Sequence, residues 1–187
     1  MKATLLLLLP AILMAASASG AGKYSKEIPK IAVPLPAVTA ITLDARNVAA
    51  GRSLSNTVAP NPDATRKTTT HSETLEINVR NLGPVLANVT VHWFWVGRYV
   101  TSGNWFRAGE GEKALAIDSK KSEVVLAECG DVEGHVTKAA NEHYKSGGNM
   151  LGWVVTVMNS QGEIQAVKAS DAYLQGFAIE QPPKKRK

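Results

Sequence analysis

Between Leu75 and Arg80 apolar and polar side chains alternate, with Leu75, Ile77 and Val79 set against Glu76, Asn78 and Arg80. A period of two predicts a strand with one buried face and one wet face. Asn81-Leu82-Gly83-Pro84 supplies turn chemistry. Val85, Ala87, Val89, Val91, Trp93 and Trp95 then share one face of a second strand, and Leu86, Asn88, Thr90, His92, Phe94 and Val96 share the other. The first set is apolar throughout and is predicted to point inward. Towards Trp95 both faces are apolar, which predicts either a doubly covered strand or a surface aromatic patch, closed by Gly97-Arg98. Leu151, Trp153, Val155 and Val157 alternate in the same way with Gly152, Val154, Thr156 and Met158. Asn159-Ser160-Gln161-Gly162 reads as a hairpin loop, returning through Glu163–Ala169 with Ile164 and Ala166 inward.

The remaining segments are less regular. Residues 37–48 predict a first strand through Val38, Ile41 and Leu43. Residues 49–70 predict a long loop or a ragged edge strand with an insertion, because Pro60 and Pro62 are barred from the middle of a sheet. Gly109-Glu110-Gly111-Glu112 reads as a turn, Ala114–Ile117 as a short strand and Ser122–Cys129 as a better one. Gly130 and Gly134 bracket an acidic turn. Val136–Lys145 contains helix-compatible residues but is short and polar, and Gly147-Gly148 ends it. Ser170-Asp171 is placed to cap one helical turn through Gln175.

About seven short strands separated by turns predict an all-β chain, an antiparallel β-sandwich. The runs Leu75–Asn81, Val89–Trp93 and Gly152–Val157 with its hairpin resemble an immunoglobulin-like or fibronectin-type-III-like bacterial extracytoplasmic module, over residues 37–170. The paired cysteines of antibody domains are missing, so the resemblance is to the superfold. It implies a fold and no particular activity.

The chain start adds an address. Lys2, the apolar run Leu5–Ala16 and the small residues Ser17–Ala21 read as a secretory signal peptide over residues 1–21, with Ala16-Ser17-Ala18 or Ser19-Gly20-Ala21 at the cleavage point. Residues 22–36 read as a linker, 37–178 as one domain and 179–187 as a disordered basic tail. The expected location is periplasmic or extracellular. No segment after the leader is apolar enough to be a transmembrane span.

Charge sits at the other end. The chain carries 21 Lys and Arg against 16 Asp and Glu, a net +5. Lys2 leaves with the leader, and Lys184, Lys185, Arg186 and Lys187 hold the rest of the excess, so the domain itself is neutral. That argues against nucleic-acid binding by the domain. The tail offers a weak contact with an anionic surface.

Candidate chemistry is sparse. Cys129 is the single cysteine, so no disulfide forms within the chain; it reads as a buried small hydrophobe, or as a reactive thiol. Glu110 and Glu112 read as a solvated pair. His71, His92, His135 and His143 do not form a zinc motif, although His135 and His143 with Asp131 or Glu133 define one arrangement to test. No nucleophile elbow, phosphate loop or cofactor motif occurs, so no catalytic, cofactor or metal residue is assigned. Phe94, Tyr99, Trp105, Phe106 and Arg107 form the candidate surface-binding patch, since exposed aromatic–Arg surfaces suit glycans and proteins; the competing reading packs these rings in the interior. The functional expectation is an exported, non-catalytic module that binds or scaffolds a protein or glycan at the cell envelope. The alternative is a small secreted hydrolase or metal-dependent enzyme on the same fold.

Overall fold

A computed structural model describes residues 40–58, 64–139 and 142–180. The expected leader and linker, and residues 181–187 of the expected tail, lie outside these residues, as do Pro60 and Pro62. The described chain is all-β and antiparallel, with eight strands where about seven were expected. They are β1 (Ile41–Val58), β2 (Ala64–Asn81), β3 (Ala87–Tyr99), β4 (Trp105–Ile117), β5 (Ser122–Glu128), β6 (Val132–Ala139), β7 (Glu142–Asn159) and β8 (Ile164–Ala169), followed by a 3-10 helix at Ala172–Ala178. Hydrogen-bonded neighbours run β1-β2-β6-β7-β3-β4, with β5 beside the second half of β2 and β8 beside the second half of β7.

The parity expected of the clearest strands is present. Leu75, Ile77 and Val79 are fully buried, as are Val91, Trp95, Val155 and Val157, while Asn78 and Arg80 face water. Val85 and Leu151 depart from the pattern: Val85 belongs to the turn and is 70% exposed, and Leu151, beyond the irregularity at Val96/Gly97, packs with Phe94 and Val154 on the opposite face. One cluster unites side chains of β1, β2 and β5 (Ile41, Ala45, Leu75, Ile77, Val125) with side chains of β3, β4 and β7 (Val89, Val91, Trp95, Ile117, Val155). Each such side chain stabilises the fold by about 1.5–3 kcal/mol relative to exposure. At one end of this interior the buried Asn81 Nδ2 donates to the carbonyls of Val85 (2.7 Å), Ile117 (3.0 Å) and Asp118 (3.3 Å), and its Oδ1 accepts from Gly83 N–H. At the outer edge of β1, Lys168 of β8 pairs with Asp44 and holds that carboxyl below the ordinary carboxylate range.

Five expectations about local structure are corrected. Of the two readings of residues 49–70 the loop is corrected and the edge strand holds for 49–58: these residues end β1, the outermost strand, and pair with β2 from Ala49↔Thr74 to Val58↔Thr65, past an irregularity at Asn47/Ala49, while 64–70 lie on β2 inside the sheet. Gly109–Glu112 is not a turn but the middle of β4. The glycine at 111 is there because the Trp93 ring covers it; a Cβ would lie 2.5 Å from Trp93 Cζ2. Val136–Lys145 does not form a helix in its described residues: 136–139 belong to β6 and 142–145 to β7, where Val136↔Lys145 and Lys138↔His143 face each other. Ladder bonds to β2 and β7 outweigh the helical preference of Lys138 and Ala139. The turn expected between Gly130 and Gly134 is shorter, since β6 begins at Val132. The terminal turn is a 3-10 helix that continues past Gly176, and the Asp171 side chain makes no capping bond.

These paired extensions give the molecule two regions. In the body, strands enclose the apolar cluster. In the arm, residues 49–58, 64–73, 132–139 and 142–147 form a four-stranded sheet. Most of its described side chains are polar and at least partly exposed on both faces. β7 serves both regions: it pairs with β6 up to Gly147 and with β3 from Gly148.

Candidate functional site

The even-numbered side chains of β3 lie on the face away from the large cluster. Half of that face is apolar and covered. Phe94, Val96, Trp105 and Val154 pack beneath Leu174 and Phe177 of the 3-10 helix, with the Trp105 and Phe177 ring centroids 5.2 Å apart. Arg98 lies 5.5 Å over the Trp105 ring, and its Nε donates to Gly103 O at 3.0 Å.

The other half is polar. Register places His92 opposite Glu112 and Thr156, and Phe94 opposite Glu110. A depression of about 310 Å3 opens here, lined by His92, Trp93, Phe94, Arg107, Glu110 and Glu112. His92 Nε2 lies 3.1 Å from Glu112 Oε2, and Arg107 pairs with Glu110. Both carboxylates therefore already have cationic or imidazole partners. The arrangement can accept or donate hydrogen bonds to a polar ligand at its mouth.

The expected aromatic patch is not a surface. Phe94, Trp105 and Phe106 are 3%, 5% and 0% exposed, so the doubly covered reading of this strand is the correct one. The 3-10 helix buries Phe94 and Trp105. Phe106 lies against Gly97 and Gly148, where a Cβ at 148 would come within 2.5 Å of its ring, and stacks on Tyr99 at 4.4 Å. Tyr99 and Arg107 are half-buried. Arg107 is the member of the group, with the edge of Phe94, that reaches the polar depression.

The His135–His143 arrangement is also not assembled. His135 shares a hydrogen bond with Thr68 at 3.0 Å and stands 3.7 Å from Glu133, whereas His143 pairs opposite Lys138. Residues 135 and 138 differ by an odd number along one strand, so the two imidazoles project from opposite faces. Among the described residues no three His, Cys, Asp or Glu gather as a metal-holding group. Cys129 is buried and its thiol donates to Gly130 O at 3.0 Å, the small-hydrophobe reading of that residue.

A second depression, of about 280 Å3, lies on the arm, where sequence reading placed no site. Its residues come from β1, β2, β6 and β7 and are separated by up to most of the domain, so no local motif announces them. Among the described residues no helix is long and apolar enough to cross a membrane.

No family model matches the chain, and no curated protein matches it. Among solved structures it is similar to a target of the Northeast Structural Genomics Consortium, with TM-score 0.29 and 11% identity over 68% of this chain and 92% of that one. It is also similar to a β-glucosidase from Streptomyces venezuelae in complex with D-glucose, with TM-score 0.27 and 10% identity over 69% of this chain and 14% of the enzyme. A protein from Akkermansia muciniphila has TM-score 0.26 and 12% identity, over 77% and 78% of the two chains. Likenesses at this level carry no argument about function.

Proposed function

We propose that this chain is an exported, non-catalytic β-sandwich module of immunoglobulin-like type that binds or scaffolds at the cell envelope. The sandwich reading is supported by the shared interior, in which strands β1, β2 and β5 contribute from one side and β3, β4 and β7 from the other. The binding reading is supported by one observation above the rest: beyond the packed body, the chain builds a sheet arm that is wet on both faces. An arm of that kind adds little buried apolar area, so stability alone does not account for it. Export is supported by the leader-like segment Lys2–Ala21.

The hydrolase reading has its own observation, the adjacent carboxylates Glu110 and Glu112 beside His92. Their engagement by Arg107 and His92 favours a structural or ligand-orienting part instead.

Fractionation after expression of the full chain in a secreting bacterial host tests the module reading. The expected product is a mature protein in the periplasm or medium beginning after Ala18 or Ala21, which sediments with isolated cell envelopes and keeps doing so when Glu110→Gln and Glu112→Gln are combined. Full-length protein retained in the cytoplasm, or mature protein that stays entirely in the supernatant, overturns it.

A further inference from the structure

One face of the arm is cationic, and its register explains why. Arg52 opposes His71, which opposes Val132; Thr69 opposes Gly134, which opposes Gly147; Lys67 opposes Val136, which opposes Lys145. Opposed residues share a face, so Arg52, Lys67, His71 and Lys145 project to one side, continued by Lys138. Glu133 is on the opposite face beside His135; Glu73 shares the cationic face at its body end, where its carboxylate accepts from Asn47 Nδ2 at 3.2 Å. Among the described residues neither Arg52 nor Lys145 has an ion-pair partner.

The 280 Å3 depression opens in the middle of this face, lined by Arg52, Thr69, His71, Val136, Lys145 and Asn149. It is hollow because two opposed positions carry no side chain, Gly134 and Gly147. Gly147 has φ +85°, a backbone that L side chains rarely adopt, and a Cβ there would collide with the Glu133 carbonyl. A glycine pair as floor, cations as walls, and the Thr69 hydroxyl and Asn149 amide at the rim make a concave polar site with a positive field.

We propose that this depression binds an acidic saccharide, with acidic groups of the sugar chain at Arg52 and at Lys145 and sugar hydroxyls on Thr69 and Asn149. The proposal deepens the envelope-binding reading and rests on it. The donor set decides the class. Cations alone suit any anion, but hydroxyl and amide groups beside them suit a ligand that is rich in hydroxyls. No Phe, Tyr or Trp lines the hollow, and the rings that do are the smaller imidazoles of His71 and His135, a poorer stacking platform for single-stranded nucleic acid. The volume is that of a small-molecule site rather than of a flat lipid-binding surface.

Calorimetry and amide NMR with oligogalacturonate test it, with neutral galacto-oligosaccharide and inorganic sulfate as comparison probes. The expected result is saturable binding of oligogalacturonate that weakens with salt, shifts confined to the amides of residues 69, 134–136 and 147–149, and no binding of the neutral sugar. Arg52→Ala and Lys145→Ala should each raise Kd about tenfold with unchanged circular dichroism, and Lys121→Ala, in the turn before β5, should leave Kd unaltered. Equal affinity for sulfate alone means an anion subsite with no sugar recognition and overturns the proposal. Binding that survives R52A/K145A overturns the groove and leaves the module reading standing. No binding of oligogalacturonate at all also overturns the proposal, and envelope sedimentation then tests the module reading separately.

Discussion

Asn81 shows how much one polar side chain can organise in a β-rich chain. It is buried, and its amide closes three carbonyls from two connections while accepting the Gly83 amide. The bond to the Ile117 carbonyl is buried, so removing the side chain leaves that carbonyl unsatisfied. Asn81→Ala is expected to cost about 1–3 kcal/mol in a denaturant titration. Asn81→Asp should cost at least as much at neutral pH, because an ionised carboxylate faces three carbonyls and donates to none. A midpoint unchanged in both variants would mean that this end of the molecule is not closed by Asn81. The residue was legible in the sequence as part of a turn, but its role was not. The three carbonyls it joins belong to Val85 and to a segment some three dozen residues away.

At the scale of elements, the alternating runs declared themselves and the glycines misled. Leu75–Arg80, Val89–Trp95 and Leu151–Val157 have side-chain parity strong enough to specify a face. Gly109, Gly111, Gly147 and Gly148 read as turn residues, yet all four lie inside strands. They make room for rings or for a neighbouring backbone, and only the packed structure reveals that need. The same physics makes a test. Gly97 sits opposite Phe106, and a methyl at 97 overlaps that ring. Gly97→Ala is expected to destabilise by about 1–3 kcal/mol through overpacking. Combined with Phe106→Leu, it should cost less than the two single changes added together, since the smaller side chain vacates the contested space. Strict additivity in denaturant unfolding would show that Phe106 does not rest on Gly97. Val136–Lys145 failed for the opposite reason. Local propensity there was weak in either direction, and two flanking strands decided the outcome.

At the scale of the whole molecule, the chain divides its labour between a body that buries side chains and an arm that displays them. The aromatic residues, which looked like binding chemistry, belong to the body; Phe94 and Trp105 hold sheet and helix together, and Phe106 packs against Gly97, Gly148 and Tyr99. The cations gathered on one face of the arm come from four strands, a grouping that only register creates. Composition correctly placed the domain near neutrality, but an average over the domain conceals a one-sided distribution.

Amide hydrogen exchange read residue by residue tests this division most directly. β2 runs through both regions, so one strand supplies its own control. The amides of residues 75–80, 89–95 and 153–157 are expected to exchange only with global unfolding. Those of residues 65–71 and 134–138 should open locally and exchange at least roughly tenfold faster. Uniform protection along β2, or an arm as slow as the body, would contradict a molecule built from a sealed interior and a core-poor, ligand-facing sheet.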